Sequence, residues 1–260
     1  MFRLAANLSF QFGEVGFLDR FERAARVGFT GVEYLFPYDH DPKELAARLH
    51  DHGLEQVLFN MPPGDWAAGD RGLAAVPGRE TEFRASVDDA LRYAEALGCP
   101  RIHIMAGVAS GPEAEAAYLG NLEYAARRFE PHGVTPLIEP INRRDMPGYF
   151  LADFDAAVEV LTAVGGIRLQ FDLYHRQIIH GDVTVGLRSM MPVIRHMQIA
   201  GVPDRHEPDT GELDLAHVLG TIRDLGYDGW IGCEYRPFGV TEDGLEWARR
   251  AGLGSETDAG

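Results

Sequence analysis

The chain has 260 residues and a formal net charge of −16, a length that fits two ordinary domains or one α/β barrel of about 250 residues. That charge argues against sequence-independent binding to nucleic-acid backbones or anionic membranes, because both depend on electrostatic attraction. The start MFRLAANLSFQFG has no basic segment followed by a long apolar core, and no apolar stretch approaches the roughly 20 residues that cross a bilayer, so a soluble, cytoplasmic protein is expected.

In chain order, short apolar runs read as strands at LAANLSF (4–10), GVEYLF (31–36), EQVLFN (55–60) and RIHIMAG (101–107). Four more follow at TPLIEP (135–140), IRLQFDLYH (167–175), IRHMQIAG (194–201) and GWIGCEY (229–235). Stretches 17–29, 42–53, 82–98 and 115–133 repeat apolar residues every three or four positions, as helices covering a sheet do. Gly28, Gly53, Gly98, Gly133 and Gly226 follow helical runs, where a left-handed cap suits glycine. No Ser- or Pro-rich linker and no break in composition divides the chain. Eight alternations predict a single (β/α)8 TIM barrel, an α/β fold, over 1–260, with a flexible tail over about 254–260. A doubly wound open sheet competes, but it leaves edge strands. The first strand also lacks a following glycine-rich phosphate motif, so no nucleotide cofactor is expected.

Glu139, Asp172, Gln198 and Glu234 stand at the carboxyl-terminal ends of TPLIEP, RLQFD, RHMQIA and WIGCE. Their spacings of 33, 26 and 36 residues each suit one strand–helix–strand unit. Parallel strands then bring all four to one rim, the rim that carries chemistry in this fold. Alone, Glu139 or Asp172 reads as a loop carboxylate or a helix cap. Together, three carboxylates and a neutral amide oxygen suit one hard divalent cation, Mg²⁺ or Mn²⁺, better than a thiolate-rich zinc site. Cys99 and Cys233 fit no zinc or disulfide spacing, and Cys233 reads as a packing residue because its neighbour Glu234 points to the opposite strand face.

The blocks GVEYLFPYD (31–39), IEPIN (138–142), FDLYH (171–175), HMQIAGVPDRHEPDTGEL (196–213) and YDGWIGCEYRP (227–237) carry a family resemblance. The chain resembles the hydroxypyruvate isomerases of the xylose-isomerase-like (β/α)8 superfamily, from the first strand to about Leu253. The resemblance implies that Glu139, Asp172, Gln198 and Glu234 form a metal site and that Glu139 and Glu234 are also the acid–base pair. Many relatives acting on larger sugars have histidine at the position of Gln198, a departure that favours the hydroxypyruvate group. Homo-oligomers are also compatible with the resemblance.

The chemistry is consistent with these residue types. Moving a carbonyl between adjacent carbons removes one proton, passes through an enediolate and returns a proton to the other carbon. A cation stabilises the negative charge, and two flanking carboxylates exchange the protons. His175 follows Asp172 in a pattern that resembles a substrate-polarising histidine. His103 shares strand parity with Met105 and reads either as pocket-lining or as a hydrogen-bonded core residue. His196, two positions before Gln198, reads as structural. In the loop after strand seven, Arg205 suits a substrate carboxylate as a two-pronged fork, and Glu207 suits orientation of His206 or Arg205. Arg143 and Arg144 are weaker candidates.

Lys43 is the only lysine and lies in a helical segment, which disfavours a Schiff-base aldolase. Neither G-x-S-x-G nor H-E-x-x-H occurs. The expected activity is conversion of a small hydroxy-oxo acid, hydroxypyruvate, to 2-hydroxy-3-oxopropanoate. Isomerisation or epimerisation of a 2-oxotetronate or another keto sugar is the near alternative, and an inosose-type dehydratase is the alternative of another class. A phosphodiesterase of the endonuclease IV type needs three zinc ions, many rim histidines and a basic surface, and this sequence shows neither the histidines nor the basic surface.

Overall fold

The computed structural model describes residues 1–254, so all but the first residue of the expected tail lies outside the described residues. Eight parallel strands close a barrel in sequence order. They are β1 (Arg3–Asn7), β2 (Gly31–Tyr34), β3 (Glu55–Asn60), β4 (Arg101–His103), β5 (Thr135–Ile138), β6 (Arg168–Asp172), β7 (Ile194–Gln198) and β8 (Trp230–Cys233). Closure is made by β8 on β1, in register from Arg3 opposite Trp230 to Ala6 opposite Cys233. The barrel is the predicted (β/α)8 fold.

Around it lie α1 (Arg20–Arg26), α2 (Pro42–His52), α3 (Glu80–Leu97), α4 (Pro112–Phe129), α5 (Phe154–Ala163), α6 (Leu173–Ile179), α7 (Val183–Met190), α8 (Leu215–Asp224) and α9 (Glu246–Ala251). Local chemistry explains several of their ends. Asp41 caps α2 by accepting from the Lys43 N–H at 2.8 Å, Pro42 occupies the first turn, and Gly53 closes the helix at φ 63°. None of the described helices is long and apolar enough to cross a membrane.

Every strand but β3 ends before its apolar run does, and three of these ends have a clear local cause. β1 stops at Asn7 because the Phe10 and Gln11 N–H groups donate to the Asn7 carbonyl and turn the chain. β4 ends at His103, after which Gly72 bridges to Ala106 instead. The run IRLQFDLYH changes period at Asp172, whose side chain accepts from the Tyr174 N–H at 2.8 Å and starts α6.

Alternation along the strands sends every second side chain to the barrel axis. Ala5, Val57, Leu58, Leu137 and Trp230 form a small buried apolar cluster of their own, apart from the larger core. Two positions further towards the carboxyl-terminal rim come Asn7 on β1, Gly232 on β8 and Glu139 just beyond β5. Polar side chains therefore crowd one end of the barrel.

Candidate active site

Asp172 closes β6, Gln198 closes β7, and Glu139 and Glu234 lie one residue beyond β5 and β8. All four are buried: Glu139 is 5 % exposed, Asp172 0 %, Gln198 1 % and Glu234 7 %. A cavity of about 420 Å³ opens over Glu139 and Glu234, with Gln170, His175 and Arg205 also among its walls. Potential ligand atoms of Glu139, Asp172 and His175 all lie within 4.8 Å of one another. Asp172 Oδ1 caps α6, and Oδ2 faces the His175 Nε2 at 3.6 Å and the Arg205 Nη2 at 3.3 Å.

Gln198 presents its amide nitrogen to Glu33 Oε1 at 2.9 Å and to Glu234, and its oxygen accepts from Gln170 Nε2 at 2.7 Å. Glu33, which sequence reasoning passed over inside GVEYLF, is the centre of this layer. Its carboxylate accepts from His196 Nε2 at 2.6 Å, from Asn7 Nδ2 at 2.9 Å and from Gln198. Asn7 Nδ2 also reaches Glu234 Oε2 at 3.2 Å. Asn7, Glu33 and His196 thus support Gln198 and Glu234 from below, which gives His196 the structural place expected of it.

The layer fits because β8 carries glycine at 232, where an added Cβ would collide with the Glu33 carboxylate. Gly232→Ala is expected to cost at least the roughly 1–3 kcal/mol typical of overpacking, because the displaced atoms are a hydrogen-bonded carboxylate rather than a free side-chain end. Urea unfolding measures this directly, and an unchanged midpoint would contradict the fit described.

Electrostatics in the site are set by burial. Burial, then the charges of Glu234 and Asp172, hold Glu139 well above the usual carboxylate range. Burial pushes Glu234 up to about 8 against the opposing pull of Arg205. Asp172 rises to about 6 for the same reason, again opposed by Arg205. A carboxyl group poised near neutrality exchanges protons efficiently in either direction.

His175 and His103 are neutral. Burial, then Arg205, pushes His175 well below its usual value. Burial, then His196, takes His103 down to about 3. The Asn142 side-chain amide and backbone N–H donate to His175 Nδ1 at 2.7 and 3.3 Å, so the proton sits on Nε2. That N–H faces Glu139 Oε1 at 3.8 Å and Asp172 Oδ2. His103 Nδ1 donates to Asn60 Oδ1 at 3.3 Å and lies 3.5 Å from Glu139 Oε2. Its side chain does line the cavity.

Arg205 is inside the site and firmly held. Nη2 bonds Glu234 Oε1 at 2.6 Å, Nε bonds the Glu234 carbonyl at 3.3 Å, and Nη1 lies 3.6 Å from Asp145. The loop turns it inward through a left-handed backbone at φ 59°. Close packing at Gly201, where a Cβ would meet the Thr210 and Glu207 carbonyls, fixes the same loop. Glu207 is brought to a different place. Its carboxylate accepts from the Phe238 N–H at 3.1 and 3.2 Å and ties the β7 loop to the β8 loop, without bonding Arg205 or His206. Arg143, Arg144 and Lys43 are exposed. Cys233 is fully buried, and burial pushes its thiol well above the usual range.

Comparison with known proteins identifies the family. A family profile described as a xylose isomerase-like TIM barrel matches residues 21–251. The chain is 53 % identical to a 2-oxo-tetronate isomerase of Cupriavidus necator, over 95 % of this chain and 97 % of the relative. It is 45 % identical to a hydroxypyruvate isomerase of Escherichia coli, over 95 % and 98 %. A crystal structure from Brucella melitensis, named as an AP endonuclease of family 2, superposes with a TM-score of 0.94 at 51 % identity, covering 96 % of this chain and 99 % of that one. A D-psicose 3-epimerase of Clostridium cellulolyticum, at 16 % identity and TM-score 0.75, covers 95 % of this chain and 90 % of its own and shares the fold. The chain belongs to the xylose isomerase-like TIM-barrel family and, within it, to the isomerases.

Proposed function

We propose that this enzyme isomerises a short 2-oxo acid bearing a hydroxyl group on the neighbouring carbon, converting hydroxypyruvate to 2-hydroxy-3-oxopropanoate. The observation that carries the reading is the pair Glu139 and Glu234, two buried carboxyl groups that line one cavity. One takes the proton from C3, the hydroxyl proton leaves O3 as its carbonyl forms, and protons are delivered to C2 and to O2. Substrate and product are isomers, so no electron acceptor is consumed. The neutral His175 presents an Nε2–H to this space and suits the developing charge on a substrate oxygen.

The donor set fits a divalent cation, Mg²⁺ or Mn²⁺. Glu139 Oε1 is buried with no hydrogen-bond partner among the described residues. Four carboxylates, Glu33, Glu139, Asp172 and Glu234, are buried here with one guanidinium, Arg205. Glu139 and Asp172, whose oxygens already converge beside His175, would hold the ion, joined by Glu234 and the side-chain oxygen of Gln198 as these exchange contacts to Arg205 and Gln170 for it, an oxygen set suited to hard cations. When bound, it supplies positive charge that lowers the cost of the enediolate.

The four-carbon acid 2-oxo-tetronate is the second reading, favoured by the 53 % identity to the Cupriavidus enzyme of that name and by a cavity of about 420 Å³. It reacts at the same two carbons. Phosphodiester hydrolysis, which the name of the Brucella structure would suggest, gains no support from a net charge of −16 and a cavity walled by buried carboxylates.

Measuring kcat/KM of the metal-loaded protein for hydroxypyruvate, 2-oxo-tetronate and the neutral dihydroxyacetone tests the assignment. Either acid is expected to exceed dihydroxyacetone by at least tenfold, with a product of unchanged mass. A product lighter by one water would move the enzyme to the lyases, and a preference for the neutral sugar would remove the acid reading.

A further inference from the structure

We propose that Arg71, on the loop between β3 and α3, is the residue that recognises the substrate carboxylate and selects acids over neutral sugars. The inference rests on the 2-oxo acid reading and names the group that makes it specific. It also moves this task away from Arg205, whose guanidinium already serves Glu234, Asp172 and Asp145.

Arg71 lines the same cavity as Glu139 and Glu234. Its Nη1 donates to the Trp66 carbonyl at 3.0 Å and to the Asp70 carbonyl at 2.6 Å. The neighbouring Asp70 carboxylate is engaged by Arg79 at 2.8 Å instead. The Nε–H and Nη2–H edge of Arg71 therefore has no hydrogen-bond partner among the described residues. That edge is the one that forms two parallel bonds to a carboxylate.

The guanidinium is also pre-positioned. It lies 4.0 Å from the centre of the Trp66 ring, and Trp66 in turn packs on Phe36 at 5.3 Å. The loop beneath is anchored. Gly72 N–H donates to the Pro63 carbonyl at 2.9 Å, Ala75 N–H to the Ala106 carbonyl at 2.7 Å, and Asn121 Nδ2 to the Ala74 carbonyl at 2.9 Å. Gly72 adopts φ +112° with its α-carbon against the Met105 carbonyl, where a Cβ has no room. A side chain fixed in this way loses little freedom when an anion arrives.

The need for such a group follows from the charges in the cavity. An anionic substrate entering among buried carboxylates requires a cation that those carboxylates have not already neutralised. Of the other arginines lining the cavity, Arg205 is paired, whereas Arg236 is exposed and lies 5.7 Å from the Phe10 ring centre, with no guanidinium hydrogen bond among the described residues. Of the three, Arg71 alone is free of a carboxylate and fixed by hydrogen bonds of its guanidinium.

Steady-state kinetics of wild type, Arg71→Met and Arg71→Lys on hydroxypyruvate and 2-oxo-tetronate test the proposal. Loss of a charge-assisted pair predicts KM raised about 10- to 100-fold in Arg71→Met, with kcat changed less than threefold. Lysine restores only part, since it keeps the charge but not the fork. Circular dichroism checks folding, and Arg71→Lys retains the stem that packs on Trp66; if the methionine variant misfolds, a KM raised severalfold in Arg71→Lys supports the proposal. Unchanged KM in a folded variant, or a fall confined to kcat, overturns it. A wild-type enzyme that turns over neither acid overturns the underlying reading first, and it does so before any variant is compared.

Discussion

Glutamine in place of Glu139 is expected to lower kcat by about 10²–10⁴-fold, the usual contribution of a positioned general acid or base. Glu139→Gln is the cleaner of the two substitutions. Its Oε1 has no hydrogen-bond partner among the described residues, so the amide displaces no donor there. Glu234→Gln should cost as much or more. Both oxygens of Glu234 already accept bonds, from Arg205 on one side and from Gln198 and Asn7 on the other, and an amide nitrogen on either side would face a donor. Metal content should fall by a smaller factor than turnover in both variants, which elemental analysis beside the kinetics would show. Near-normal kcat in metal-loaded Glu139→Gln would remove that residue from proton transfer.

Removing divalent metal is expected to lower turnover by more than 100-fold, reversibly on adding Mn²⁺ or Mg²⁺, because the enediolate charge is otherwise faced by further buried carboxylates. Asp172 separates the metal role from the structural one. Asp172→Asn keeps a side-chain oxygen for the Tyr174 N–H that starts α6, so it should lose metal affinity with little change in unfolding midpoint. Asp172→Ala loses the cap as well, at about 0.5–2 kcal/mol, and should be the less stable of the two. Full activity after verified metal loss would contradict the metal assignment, and equal midpoints for the two variants would contradict the dual role of Asp172.

The parts of this fold that were legible in the sequence are those written in local period and punctuation. The eight apolar runs became eight strands, and Glu139, Asp172, Gln198 and Glu234 came together because each follows the same local rule at the end of a strand. Glu33 was illegible for the opposite reason. One acidic residue within a strand looks like ordinary alternation, and its partner His196 lies 163 positions away. The available signal was Gly232, a missing side chain on β8 that makes room for the Glu33 carboxylate.

Loop residues were hardest to place, since no period governs them. The sequence suggests Glu207 as an orienting partner of His206 or Arg205, yet the left-handed backbone at Arg205 sends the guanidinium inward and leaves Glu207 on the Phe238 N–H. Arg71 carried no signal at all in the sequence. Only the anchoring of its loop at Gly72 and the stack on Trp66 show it to be a cavity residue.

Proton transfer between C3 and C2 of a 2-oxo acid, run by Glu139 and Glu234, is tested most directly by nuclear magnetic resonance of hydroxypyruvate in heavy water. Wild-type and Glu139→Gln proteins, both metal-loaded, would be compared with an enzyme-free control. The wild type is expected to form 2-hydroxy-3-oxopropanoate well above the control, with deuterium at C2 where the shuttled proton exchanges with solvent, and Glu139→Gln is expected to form it at least 100-fold more slowly. Equal rates for the two proteins, or no conversion of either hydroxypyruvate or 2-oxo-tetronate by the metal-loaded wild type, would contradict it.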